Sequence, residues 1–414
     1  MDKIYLCLAH MSGNEMKYIQ EAFDTNWVVP LGPNVNAFEN DLREFVGENK
    51  QVVALCSGTS AVHLALVDLG VTLGDEVICQ SFTFCASSHP VTYQGATPVF
   101  IDSEPDTWNM DPQLLKVAIE DRIAKTGKKP KAIIPVYLYG MPAKIHEIIE
   151  IANQYDIPVV EDAAEGFGSR YDRQVCGTFG KYGVLSFNGN KIITTSGGGA
   201  LICPDEESKK RILFYATQAR EAYPYYQHEK IGYNYRLSNI CAGIGRGQMT
   251  VLNEHIAHHR HIASLYEKAF KDIDGITYHA EPDCDGRYKS NYWLSTIVLD
   301  KDLRIKGEEK AYQTAITGAV GGAAGVVHGG GDIHTACEPN RNVEALRLAL
   351  DAANIESRPL WKPMHKQPVY KNSPAYTNGV SEDLFHKGLC LPSGPWVTDE
   401  QVQYIIEKIR GAVL

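Results

Sequence analysis

The chain has 414 residues, 44% of them hydrophobic and 22% charged, with a formal net charge of −10. That length suggests two domains, or one large domain with an appendage, and the apolar fraction supplies a core. No apolar run is long enough to span a membrane, and the mixed, net-acidic charge excludes the basic stripe of a nucleic-acid surface. A few local donors can still hold a phosphorylated small ligand. The ten cysteines are scattered and form no CxxC pair. Cys56, Cys79 and Cys203 lie in apolar runs and are expected to be reduced, buried thiols of a cytoplasmic protein. The opening MDKIYLCLAHMSGNE has no A-x-A-like cleavage site, so no signal peptide is expected.

In chain order, VVALC (52–56) predicts a short buried strand followed by the helical TSAVHLALVDLG. EVICQ (76–80), TPVFID (97–102), KAIIPVYLYG (131–140) and IPVVEDAAEG (157–166) repeat the strand pattern, with the helical PAKIHEIIEIANQYD before the last. GVLSFN and GALICP follow closely enough to be neighbouring strands. Apolar strands separated by amphipathic helices argue for a mainly parallel sheet covered on both faces. A helical pattern from Ser238 to about Phe270 leads out of that sheet. Beyond it, YWLSTIVL reads as a strand, NVEALRLALDAAN as a helix and the residues from Asp399 as a final helix. The expected organisation is a large domain over 15–250 and a smaller α+β domain over 251–414, completed by residues 1–14. A Gly/Ala-rich insertion falls at about 306–340. Its centre, AITGAVGGAAGVVHGGGDIH (315–334), reads as a surface insertion, with a flap over a site as the alternative.

Ligands of open α/β sheets bind beyond the carboxyl ends of the strands. The residues after each predicted strand are therefore the candidates: Ser57-Gly58-Thr59-Ser60, then Ser81 to Phe84, then Tyr137 and Tyr139, then Glu161, Asp162 and Glu165, then Ser186, Asn188 and Lys191. SGTS at a helix start offers free N–H groups and hydroxyls for a phosphate; taken alone, it is more simply an N-cap. Phe84 suits a planar ring, or a core. Asp162 directly follows an apolar run and would need a cationic partner such as a protonated heterocyclic nitrogen; its plainer role is a cap for AAEGFG. Lys191 follows a strand-like run and precedes Gly197, Gly198 and Gly199, which let another backbone approach. A lysine held there would be partly desolvated, which favours a nucleophilic amine over a solvent lysine. Phosphate seat, stacking ring, carboxylate and amine together describe a site for pyridoxal 5′-phosphate.

GTSAVHLAL, QSFTFCASS, VVEDAAEGFGS, LSFNGNKIITTSGGGAL and IGYNYRLSNICAGIGRGQM resemble the DegT/DnrJ/EryC1/StrS family of sugar aminotransferases. NWVVPLGPNVNAFENDLREFVG upstream and SRPLWKPMHKQPVY downstream extend the resemblance over nearly the whole chain, the glycine-rich insertion being the main departure. The resemblance implies a fold type I, aspartate-aminotransferase-like architecture and a homodimer with shared sites. It implies Lys191 as the Schiff-base lysine, Asp162 at the pyridine nitrogen and Glu165 near the phenolic oxygen. Gly58, Thr59 and Ser186 match phosphate-binding positions, and Phe84 matches the ring-stacking position. Asn234 matches a residue reaching the phosphate from the other subunit. Asn188 and Arg236 would lie near the site, and His365, in the substrate-side motif, would touch substrate in preference to His328. The implied activity moves an amino group from L-glutamate to a nucleotide-linked 4-keto-6-deoxy sugar, giving a 4-amino sugar. ATQAREAYPYYQHEKIGYNYR and the downstream motif are most similar to enzymes making UDP-4-amino-4,6-dideoxy-N-acetyl sugars, with GDP-perosamine-type enzymes as close relatives. Alternatives are a coenzyme-dependent sugar dehydratase, against which Lys191 argues, and a degenerate nucleotide-sugar-binding or regulatory protein.

Other patterns carry less. GAVGGAAG (318–325) has the glycine density of a dinucleotide loop but no preceding strand in a βαβ context. His255, His258, His259 and His261 have metal-like helical spacing; a solvated helix face or a dimer contact is the expected role, and no metal is expected.

Overall fold

A computed structural model describes residues 2–282, 285–312 and 337–414. The glycine-rich 315–334, GAVGGAAG and His328 lie outside the described residues. The first five strands are β1 (Gln51–Leu55), β2 (Glu76–Gln80), β3 (Thr97–Ile101), β4 (Ala132–Ile134) and β5 (Val160–Asp162). A short ribbon, β6 (Arg170–Tyr171) and β7 (Gln174–Val175), precedes β8 (Tyr182–Ser186) and β9 (Gly199–Cys203). The later strands are β10 (Ile276–Tyr278), β11 (Tyr288–Lys289), β12 (Ser295–Leu299), β13 (Arg358–Pro359), β14 (Ala375–Tyr376) and β15 (Gly388–Leu391).

Two four-stranded runs, β1-β9-β8-β5 and β14-β3-β2-β4, meet edge to edge through parallel bridges between Ile133 and Val159 and between Val136 and Asp162. Pairing is parallel from β8 through β5, β4, β2 and β3 to β14, and antiparallel only where β9 lies between β8 and β1. The strands are short and bury both faces, so they read as unbroken apolar runs rather than alternating ones. Each fully buried Val, Leu or Ile contributes about 1.5–3 kcal/mol of transfer free energy.

Helices cover the sheet. α1 (Glu15–Asp24) and α2 (Pro33–Val46) precede β1, and α3 (Gly58–Asp68) follows it. α4 (His89–Tyr93), α5 (Pro112–Thr126), α6 (Ile145–Gln154) and α7 (Glu206–Ala216) fill the crossovers and the exit from β9. α3 is apolar nearly all round because it is buried between the sheet and α7. α5 has both end signals, an Asp111 N-cap and Gly127 at φ +69° beyond its last turn.

The predicted Ser238–Phe270 helix is two helices, α8 (Asn239–Met249) and α9 (Leu252–Phe270), broken at Thr250-Val251. α9 leads to an antiparallel sheet, β10-β12-β15-β13, packed with α10 (Arg341–Ala352) and α12 (Asp399–Ala412); α11 (Val380–Lys387) precedes β15. α12 begins with a capping box between Thr398 and Gln401. This second core gathers Ile262, Tyr266, Phe270, Ile297, Leu346, Ile405 and Ile409. Ile4 joins it, bridging to Ile355 through hydrogen bonds to the Asn354 carbonyl and from the Glu356 amide, both 2.8 Å.

Candidate active site

A cavity of about 430 Å³ opens at the carboxyl ends of β1, β2, β5 and β8. Gly58, Thr59, Phe84, Asp162, Glu165, Ser186, Asn188 and Lys191 all line it. At one end lies the first turn of α3. Ser57 caps the helix, its Oγ accepting the Ser60 amide at 3.0 Å, and Gly58 and Thr59 present the turn to the cavity. Both readings of SGTS hold at once, because an N-cap satisfies only part of a helix's free N–H groups. Gly199 explains why a glycine run follows Lys191. A Cβ there would come within 2.4 Å of the Gly58 nitrogen, so β9 touches the start of α3 only because residue 199 lacks a side chain.

Asp162 ends β5 and is 4% exposed. Its Oδ2 accepts from Ser87 Oγ at 2.6 Å and its Oδ1 from the Ala164 amide at 3.1 Å, so it does cap the following turn. Burial pushes its pKa up, against the lowering effects of the Ser87 and Ala164 hydrogen bonds and of Lys191. Among the described residues it has no ion pair. Glu165, also buried, accepts the Tyr139 amide at 2.7 Å and lies 3.7 Å from Lys191 Nζ. Desolvation raises its pKa too, with Lys191 opposing. Two buried carboxyls beside one lysine leave more negative than positive charge in a low-dielectric space. Phe84 is 49% exposed, which rules out a core role; its ring stands at the cavity edge against Trp361, with centroids 5.4 Å apart.

Three expected site residues do not line this cavity. Arg236 is bound by the Glu39 carboxylate and by the Ala54 carbonyl at 2.9 Å, and so clamps β1. His365 is turned to Ser81, its Nδ1 2.6 Å from the hydroxyl, and burial lowers its pKa. Asn234 is exposed and bridged to Thr217, away from this chain's own cavity lining. Cys79 and Cys203 are buried as expected, but Cys56 is exposed and faces the cavity because it follows the last strand residue.

The histidines of α9 do not share one solvated face, although His261 is exposed. His255 and His259 are buried, bonding the Ile192 carbonyl at 2.9 Å and the Tyr292 carbonyl at 3.2 Å. His261 meets Asp399 at 2.8 Å. Elsewhere, donor atoms of Cys337, Glu382 and His386 lie within 4.8 Å of one another. Lys366 Nζ sits 2.8 Å from Glu382 there, and His386 Nδ1 bonds the Glu338 carbonyl. An ammonium already neutralises the carboxylate, which makes this an ion-pair cluster.

Sequence reasoning missed Ser87, Asn190, Trp293 and Trp361 as cavity residues. Ser87 stands in QSFTFCASS and Trp361 in SRPLWKPMHKQPVY, so both were within reach. Trp293 had no local signal: it precedes β12, about a hundred positions from Lys191.

The sequence model of the DegT/DnrJ/EryC1/StrS aminotransferase family matches residues 10–321 and 332–410. The chain belongs to this family. It is 46% identical over 411 residues to the protein named "Putative pyridoxal phosphate-dependent aminotransferase EpsN" of Bacillus subtilis (strain 168), covering 98% of this chain and 95% of that one. It is 34% identical over 402 residues to a GDP-perosamine synthase of Escherichia coli O157:H7, covering 97% and 96%. A solved DegT/DnrJ/EryC1/StrS aminotransferase from Brucella abortus superposes with a TM-score of 0.81 at 28% identity, over 96% of this chain and 95% of that one. The family is pyridoxal phosphate-dependent and its fold is type I. The donor set fits that coenzyme: a helix start for the phosphate, a buried carboxylate lacking a cation for the ring nitrogen, and an amine beside both. No helix among the described residues is long and apolar enough to cross a membrane.

Proposed function

We propose that the chain transfers the amino group of L-glutamate to a nucleotide-linked 4-keto-6-deoxy sugar, giving a 4-amino sugar for surface polysaccharide or glycan synthesis. The observation that carries this reading is the convergence of Lys191, buried Asp162 and the α3 N-terminus on one cavity. The names of relatives support a nucleotide-linked sugar as acceptor: the GDP-perosamine synthase above, and a UDP-2-acetamido-2-deoxy-3-oxo-D-glucuronate aminotransferase of Pseudomonas aeruginosa, 37% identical over 282 residues, 68% of this chain and 75% of that one.

Pyridoxal phosphate, when bound, supplies an aldehyde for amines and an electron-withdrawing ring. The chain's residues do the rest. Gly58, Thr59 and Ser186 hold the phosphate, with the helix dipole of α3 favouring its charge. Asp162, oriented by Ser87 and Ala164, keeps the ring nitrogen protonated and thereby gains the cation its burial demands. Phe84 would cover a bound ring, Glu165 would serve its phenolic oxygen, and Asn188 lines the cavity. Lys191 would be the chain's anchor for that aldehyde, and its amine, when free, is placed in the cavity to carry a proton to and from the substrate carbon. In a pair of copies with shared sites, Asn234 would serve the coenzyme phosphate of the second copy. The exposed Phe23, Trp27, Val28 and Leu31 supply an apolar face for that pairing.

The test is a panel of UDP-, GDP- and dTDP-linked keto sugars with glutamate, following 2-oxoglutarate. Release of 2-oxoglutarate with a 4-keto-6-deoxy sugar nucleotide is expected. Loss of the keto sugar without amino transfer would move the assignment to a dehydratase, and no reaction with any member would reject the substrate class.

A further inference from the structure

Trp293 is 1% exposed, yet it lines the cavity. Its contacts fall on both sides of one residue. The indole Nε1 donates to the Asn190 carbonyl at 2.6 Å, fixing the peptide immediately before Lys191. The indole face lies under the Lys191 ammonium, with Nζ 3.9 Å from the ring centroid. A cation held over indole out of water gains from the ring quadrupole. The Trp293 ring thus grips the lysine at its backbone and at its tip.

The grip is itself braced against the site. The Trp293 amide donates to Asn291 Oδ1 at 2.8 Å. Asn291 Nδ2 donates to the Glu165 carbonyl at 2.8 Å and to the Phe167 carbonyl at 3.0 Å, and its amide donates to Ser169 Oγ at 2.9 Å. Between them Tyr292 has φ +49°, a left-handed conformation unfavourable for a bulky side chain. Strain of this kind persists only where surrounding contacts over-determine it. Here those contacts aim one ring. Glu165, which lies 3.7 Å from the same amine, is tied through Asn291 to the segment that carries the ring.

We infer that Trp293 is a positioning residue for Lys191, holding the free amine beside Glu165 whenever it is not bonded to the coenzyme. The inference rests on the proposed role of Lys191. It assigns the indole N–H to the loop and the indole face to the amine, so the two can be separated. Trp293→Phe keeps a face and loses the N–H; Trp293→Leu loses both.

The experiment measures how fast apo-protein captures pyridoxal phosphate, by the visible absorbance of the lysine-bound coenzyme, together with kcat and KM of the holoenzyme. Trp293→Leu is expected to slow capture and lower kcat, each by about tenfold, with both KM values within about twofold of wild type. Trp293→Phe is expected to recover most of that loss, remaining about threefold slow. Wild-type capture in Trp293→Leu, or a change confined to KM, would overturn the inference. If Trp293→Leu does not fold, Trp293→Phe decides alone, and wild-type capture and kcat in it would count against the proposal. Failure of the wild-type protein to capture the coenzyme would instead overturn the function proposed above.

Discussion

The large sheet carries a cavity at each end, and the two differ in how they treat charge. At the amino ends of β4, β5 and β8 a wider space of about 630 Å³ is lined by Asp68, Lys129, Lys131, Asp156 and Lys181. Its charges are paired or open to solvent: Lys129 meets Asp156 at 2.8 Å, and Asp68 meets Arg211 at 2.7 Å. At the carboxyl ends the cavity is smaller, and its carboxyls are buried with raised pKa values. Volume does not mark function here. What marks it is charge held at an energetic disadvantage, since a buried carboxylate without a cation costs stability until a ligand supplies one.

The sharpest contrast is between lysines. Lys191→Ala is expected to lower turnover by about a thousandfold or more, because both a covalent anchor and a proton carrier are lost. Lys129→Ala or Lys181→Ala, at the other end, is expected to leave turnover at wild type; a large loss in either would erase the distinction. Asp162→Asn is expected to lower kcat by about a hundredfold or more, as the ring nitrogen loses its anionic partner. The same change should leave the apo-protein as stable as wild type or more so, because it removes a buried charge. A thermal melt of apo and holo forms checks both halves.

That stability gap has a definite pH dependence. The folded Asp162 carboxyl binds its proton more tightly than the unfolded one, so the cost of its charge is fully present above the raised pKa. As pH falls through that pKa the folded state takes up the proton and the cost disappears. The advantage of apo Asp162→Asn over wild type should therefore narrow on acidification. A gap that widens would contradict the burial argument.

Gly199→Ala is a packing test. Its Cβ would stand 2.4 Å from the Gly58 nitrogen, so α3 or β9 must shift. A loss of about 1–3 kcal/mol and weaker coenzyme binding are expected, measured by denaturant melts and absorbance titration. Asp156→Ala, breaking an exposed pair with Lys129 at the amino-end cavity, is the smallest change. It should leave the melting temperature and turnover at wild type.

Much of this contrast was legible in the sequence because parallel strands are short apolar runs and the residues after them share one rim. That rule placed Gly58, Thr59, Phe84, Asp162, Glu165, Ser186, Asn188 and Lys191, which line the cavity, but also Ser60, Ser81, Phe82, Tyr137, Tyr139 and Glu161, which do not. It failed where a contact depends on a distant segment. Trp293 arrives from the strand order of the second core, and Arg236 is captured by Glu39 from α2. No local period encodes either. The break between α8 and α9 was hidden because a helical pattern continues in phase across Thr250-Val251, while the backbone there tightens to bonds three residues back, from Thr250 to the Gly247 carbonyl and from Val251 to the Gln248 carbonyl. His255 and His259 read as surface residues because histidine is polar by composition, yet carbonyls of Ile192 and Tyr292 meet them inside.

The most direct test of the account is borohydride reduction of the holoprotein followed by peptide mass mapping. The account predicts a pyridoxyl group fixed on Lys191 and on no other lysine. A label on a lysine of the amino-end cavity, or no label at all on coenzyme-loaded protein, would contradict it.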